Sequence, residues 1–298
     1  MKTFIYILIF FISSSLIAQT NNPYVRKGSL GKRVTQENTV SNGAFVFKPI
    51  SQWAGERFIF LPQSKKLQGY GYQSFHVDYD EYVGRIAKVI SVDESNYLPK
   101  IQFQMEDNGK ELSATAYSES INGIAPIADI DSARSRWLNK TLWFKNKELV
   151  LYDEEKDKFL SLKVKKYSPV KVVDIVAGWY NDSPVRFILQ TQSGDEGFID
   201  LNLSGTNVSE ILRGYSHFDE ELLTNDPRKT YHWSEKVWNA IEAEKVFIGM
   251  TSEQAKLSWG RPKDINRTNT GSSIHEQWVY TSGSYLYFED GVLTTVQN

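Results

Sequence analysis

The 298-residue chain contains no cysteine. That excludes disulfides, thiol nucleophiles, thiolate zinc sites and lipid anchors on cysteine. Stability must then come from packed apolar cores. An excess of either charge is also lacking. Lys and Arg number 34 against 36 Asp and Glu, a formal −2, so nucleic acid is not an expected partner. Long apolar runs are confined to Phe4–Ile12 (FIYILIFFI), short of the ~20 residues that span a bilayer. Missing too are G-x-S-x-G, a P-loop and a complete dinucleotide fingerprint. No cofactor is therefore expected.

What is present begins with an address. Lys2, the apolar run, Ser13–Ser15 and Ala18 have the layout of a secretory signal peptide cleaved after Ala18. An exported chain without disulfides fits a bacterial envelope better than a stapled eukaryotic module. We therefore expect a periplasmic or secreted bacterial protein whose mature chain has no membrane span. Residues 19–50 are polar and aperiodic and read as a linker or extended arm.

Aromatic residues make up 13% of the chain, an enrichment that suits pleated, half-buried surfaces. They also mark a repeat. Ser51-Gln52-Trp53 with Phe58-Ile59-Phe60 matches Ser135-Arg136-Trp137 with Leu142-Trp143-Phe144. Lys88–Val92 matches Lys171–Ile175, and Pro99, Phe103 and Gly109 answer to Pro184, Phe187 and Gly194. The order is kept at an offset of about 84 residues, the mark of a duplication. Each copy reads as short strands with few helix signals, such as Ile101–Met105 before the turn Asn108-Gly109, and Val185–Gln190 before Ser193-Gly194. Five or six strands in some 80 residues suggest a small barrel.

Gly194-Asp195-Glu196-Gly197-Phe198-Ile199 resembles the G-x-x-G-aromatic-[VI] hairpin that closes bacterial SH3-like barrels. The first copy, Gly109-Lys110-Glu111-Leu112, lacks the second glycine and the aromatic. An OB-like barrel is the rival for both. The expected modules are residues 51–130 and 135–212.

From residue 216 the period changes. Ser234 precedes Glu235–Glu244, with Val237, Trp238 and Ile241 at helical spacing. Thr251-Ser252-Glu253-Gln254 is a capping box, and the helix it opens should stop at Gly260 before Pro262. Strands are expected at Asp264–Thr268, Gln277–Tyr280 and Tyr285–Phe288, the last turning at Asp290-Gly291 into Val292–Val296. Ile248–Gln254, Trp259–Pro262, Glu276–Tyr280 and Leu286–Leu293 resemble, in order and spacing, the SmpA/OmlA (BamE-like) family of bacterial envelope domains. The resemblance implies two helices on one face of an antiparallel meander, used for protein contacts. The family's typical lipoprotein is anchored through a cysteine that this chain does not have. The fold class expected is thus mainly β with a C-terminal α+β domain at 216–298.

Strand alternation puts Trp278 with Tyr280, and Tyr285 with Tyr287, on shared faces. Both faces of the C-terminal sheet therefore carry large apolar groups, and two helices cover only one. Trp278, Tyr280, Tyr285 and Tyr287 are candidate partner contacts. Trp179 and Tyr180 are a second pair, placed in a loop where a sugar or peptide could stack.

Chemistry is sparse. His275-Glu276 begins like a zinc-protease motif but ends in Val279. His76–Glu81 lacks the spacing of a calcium loop. Asp129-Ile130-Asp131 and Asp153–Asp157 read as solvated charge, and four Asn-x-Ser/Thr sequons as coincidence. No catalytic or metal-binding residue is expected. The chain reads as a non-enzymatic envelope protein that binds other envelope proteins or cell-wall peptide through its SH3-like and BamE-like modules, with an envelope protein or cell-wall component as the expected partner. The alternative is an inhibitor or ligand-sequestering protein acting on a secreted hydrolase, and the third reading, ranked below both, is a hydrolase. Oligomeric state is left open.

Overall fold

The computed structural model describes residues 45–117 and 119–298. The signal peptide (1–18) and residues 19–44 of the arm lie outside them. Strand outweighs helix, 40% against 18%, so the protein is mainly β. Among the described residues no helix is long and apolar enough to cross a membrane. The chain divides into two compact units, residues 45–164 with 168–224, and residues 165–167 with 225–298.

The first unit holds both repeats. Strands β1 (Arg57–Phe60), β2 (Ile86–Asp93), β3 (Lys100–Met105), β4 (Glu111–Thr115) and β5 (Ile124–Pro126) form a sheet in the order β4-β3-β2-β1-β5. The second sheet uses β6 (Thr141–Phe144), β7 (Glu148–Asp153), β8 (Lys158–Lys163), β9 (Ser168–Tyr180), β10 (Ser183–Gln190), β11 (Glu196–Leu201) and β12 (Leu222–Leu223) in the order β12-β6-β9-β10-β11-β7-β8. Without the β7–β8 hairpin the two orders are the same.

The register repeats as well. Arg57 pairs with Lys88, and Thr141 with Lys171. Gly55 and Asn139, both at positive φ (86° and 64°), donate to Val89 O and Val172 O at 2.9 Å. A bulge falls at Ile90 in one copy and at Val173 in the other. Pairing through that bulge sets Phe103 opposite Val89 and Leu189 opposite Val172. The counterpart of Phe103 is therefore Leu189, and that of Phe187 is Ile101. The shift of two residues preserves the face, which is why the sequence pattern does not expose it.

Strand β1 explains why the two sheets form one unit. Phe58 and Phe60 pack in the first core with Trp53, Phe103 and Tyr82. Ile59 and Leu61 pack in the second with Val172, Phe187 and Leu189. Alternating side chains thus bury both faces of one strand. Between the sheets in sequence lies α1 (Ile127–Trp137), which buries Ile127, Ile130, Ala133 and Trp137. It spans the junction expected between the modules. Asp129 and Arg134 lie on its buried side too, and these charges interrupt the apolar period by which a helix is read.

The second unit has α2 (Glu235–Glu242), α3 (Ser252–Trp259) and the meander β13 (Asp264–Asn269), β14 (Ile274–Val279), β15 (Tyr285–Glu289), β16 (Val292–Gln297). The capping box forms as expected: Gln254 N donates to Thr251 Oγ1 at 3.2 Å, and Thr251 N to Gln254 Oε1 at 3.0 Å. Gly260 ends α3 at φ 82°. Ser234 occupies its N-cap position without a side-chain hydrogen bond. Residues 165–167 join this unit: Lys166 Nζ donates to Ser258 O at 2.8 Å and Tyr167 OH to Leu257 O at 2.7 Å.

Candidate functional site

A cleft of about 420 Å³ opens in the first unit, within the range of about 300–1,000 Å³ that holds a small ligand. Four segments wall it. The excursion between β1 and β2 supplies Gln63, Leu67, Tyr70 and Gln73; the connection into β5 supplies Ser120, Asn122 and Gly123. The β9 end and the following turn supply Trp179 to Asp182, and the segment after β11 supplies Ser209 and Leu212. Both repeats therefore contribute.

The floor is rigid. Tyr72 is buried, its OH donating to Leu61 O at 2.6 Å, and desolvation pushes its phenol well above the ordinary range. Gly123 (φ +88°) lies against that ring, where a Cβ would come within 2.6 Å of Tyr72. Two asparagines fix the strand that follows. Asn181 accepts from Gly123 N at 2.7 Å and donates to Ile121 O and Ile124 O. Asn207 accepts from Ile121 N at 2.7 Å and donates to the same two carbonyls. Asn207 and Asn202 are buried, so these two sequon asparagines serve the fold.

The rim differs in character. Tyr70 is 66% exposed and Tyr180 42%. Leu67 and Leu212 are exposed beside them. Asp182 is the one charged side chain among the described residues that line the cleft. Gln63 Oε1, buried, has no hydrogen-bond partner among the described residues.

Trp179 and Tyr180 thus both reach the cleft, on a strand end and not in a loop. They are not equivalent. Neighbours on a strand point to opposite faces. Trp179 packs against Tyr152 at 4.5 Å and lies beneath the Arg186 guanidinium, while Tyr180 projects to solvent. Sequence reasoning missed Tyr70 and the amides around it. The glycine-aromatic run Gly69-Tyr70-Gly71-Tyr72 was the available signal, since glycines free a chain to present a ring.

The C-terminal candidates separate. Trp278 pairs with Leu286, is 5% exposed and packs at a tilt against Phe288 at 4.6 Å, so it belongs to that unit's core. Tyr280 is half-buried, edge-on to Trp259 at 5.3 Å, with its OH donating to Gly260 O. Tyr287 pairs with Gln277 and Tyr285 with Val279, on the opposite face, and both tyrosines are half-buried.

One carboxylate overturns its sequence reading. Asp129 is 5% exposed and accepts from Ser204 Oγ at 2.8 Å and Ser204 N at 3.2 Å. Burial pushes its pKa up to about 6, against the pull of Ser204 and Lys48. It is a structural acid tying α1 to the segment after β11. Among the described residues no group of three or more His, Asp or Glu could hold a metal ion. The chain matches no protein-family model, no curated protein and no solved structure.

Proposed function

We propose that this is a non-catalytic, exported cell-envelope protein. Its tandem SH3-like repeats bind a cell-wall component, and its BamE-like C-terminal module contacts envelope proteins. The cleft carries the reading: it is assembled from both repeats and rimmed by a tyrosine from each. Its amides, hydroxyls and rings suit holding a ligand better than moving protons. The strand order β4-β3-β2-β1-β5, with its return of the last strand beside the first, supports the SH3-like reading of both repeats. Two helices and a four-stranded meander support the BamE-like one.

The test is co-sedimentation of the chain from Gln19 onward with purified insoluble peptidoglycan. Wild type is expected in the pellet, and a Tyr70→Ala/Tyr180→Ala double variant in the supernatant. Wild type remaining in the supernatant, or a double variant that pellets equally, would overturn the proposal.

A further inference from the structure

We propose that the cleft takes a neutral saccharide, a short stretch of glycan, and not a peptide or an anionic ligand. This rests on the reading of the cleft as a binding site and names the chemistry that it would recognise.

Charge comes first. An anionic ligand entering this cleft would lose water and meet Asp182, with no Lys or Arg among the described lining residues to offset it. That is unfavourable for phosphates and for peptides rich in carboxylates. A neutral ligand meets no such penalty, and Asp182 can accept from its hydroxyls.

Hydrogen-bonding capacity comes second. Gln63, Gln73, Asn122, Ser120 and Ser209 are amides and hydroxyls, each able to donate and accept. Sugar hydroxyls do both as well. Gln63 Oε1 is a buried acceptor with no donor among the described residues. That oxygen is closed off from solvent, so the sugar hydroxyls are met by the other amides and hydroxyls of the lining.

The third argument concerns backbone. Extended peptides gain affinity by pairing with a strand edge. The edge next to this cleft is β5, and its approach is already occupied: Ile121 O and Ile124 O accept from Asn181 and Asn207. What remains exposed is ring and side chain. Tyr70 and Tyr180 offer faces to the C–H surface of a pyranose, and Leu67 and Leu212 offer contacts to apolar substituents such as acetamido methyls.

Isothermal titration of the chain from Gln19 onward would use tetra-N-acetylchitotetraose, cellotetraose and a free peptidoglycan stem peptide. At least one neutral tetrasaccharide should bind, and the stem peptide should not. Tyr70→Ala and Tyr180→Ala should each weaken saccharide binding about tenfold, the loss of one stacking contact. Tyr180→Trp should retain it. Tyr97→Ala, at a 99% exposed position away from the cleft, should change nothing. Unchanged thermal midpoints in the tyrosine variants exclude misfolding as the cause. Binding of the stem peptide alone, or saccharide binding indifferent to both tyrosines, would overturn the inference. Stem-peptide binding lost in the Tyr70→Ala variant would overturn it while leaving the cell-wall reading intact.

Discussion

The two repeats share a backbone and differ in what fills it. The first core is aromatic, with Trp53, Phe58, Phe60, Tyr72, Phe75, Tyr82 and Phe103. The second is mostly aliphatic, with Leu142, Val170, Val172, Ile175, Val185 and Leu189 around Phe144 and Phe187. The divergence traces to one segment. Between its first two strands the first repeat folds back an excursion that plugs its own core with Tyr72, Phe75 and Tyr82. The second repeat inserts the β7–β8 hairpin there and widens its sheet instead. Strand order and register are set by the frame they share. The cleft is set by the excursion they do not share, and so a binding surface could change while the frame stayed fixed.

The comparison breaks most sharply at the paired tryptophans. Trp53 is fully buried, packs on Phe58 at 4.7 Å and donates from Nε1 to Lys48 O. Trp137 is 6% exposed and stacks on Phe218 at 4.0 Å. Removing a buried Trp costs about 3–5 kcal/mol. Trp53→Ala and Trp137→Ala should each lower the unfolding free energy by about that amount, read as a fall in the urea midpoint. Because β1 lends Ile59 and Leu61 to the second core, the first unit should unfold in one step in both variants. Two resolved transitions within this unit would show the repeats to be independent.

Asp129 sharpens the comparison at α1, the element where the modules meet. Burial holds its pKa at about 6 in the folded state, against 3.8 for an ordinary aspartate. The folded state holds the proton more tightly, so this contribution to stability is complete below pH 3.8 and lost as pH rises through 6. The difference amounts to roughly 3 kcal/mol by linkage. Asp129→Asn keeps the acceptor for Ser204 and removes the charge. It should raise the denaturation midpoint at pH 7.5 and flatten the pH dependence between 4 and 6. A variant with the wild-type slope would assign that slope to other groups.

Sequence reading reached the frame better than the site. Turn and strand signals place β2, β3, β10 and the C-terminal meander because glycine, proline and alternation act locally. The repeat was legible because Trp53 and Trp137 precede strands in the same register. Helix α1 was not, since Asp129 and Arg134 sit where an apolar residue would mark its face. The cleft was half legible: Trp179 and Tyr180 reach it, but Tyr70 and the amides of Gln63 and Asn181 meet there only through pairing of distant strands. Trp278 shows the opposite limit. Alternation places it on a face correctly, and only the cross-strand partner Leu286 tells that the face is the buried one.

A smaller effect compares the two asparagines that hold the approach to β5. Asn207 is 2% exposed, whereas Asn181 is half-buried at the cleft. Asn207→Ala leaves Ile121 N without that acceptor in a dry setting and should cost about 2 kcal/mol. Asn181→Ala should cost less, because water entering the cleft replaces part of its bonding. Equal costs would mean that the cleft floor is as dry as the core.

The smallest expected change asks whether the C-terminal unit behaves by itself. Thr251 and Gln254 satisfy each other's backbone N–H groups at the start of α3. Thr251→Ala removes the hydroxyl acceptor and should cost about 1 kcal/mol. Thr251→Ser keeps the acceptor and should restore most of it. The loss should appear only in the transition that belongs to residues 225–298, followed by the Trp238 and Trp278 environment in near-ultraviolet circular dichroism. An equal shift in the transition that Trp53→Ala moves would mean that the two units melt together, and the division between them would then be geometric but not energetic.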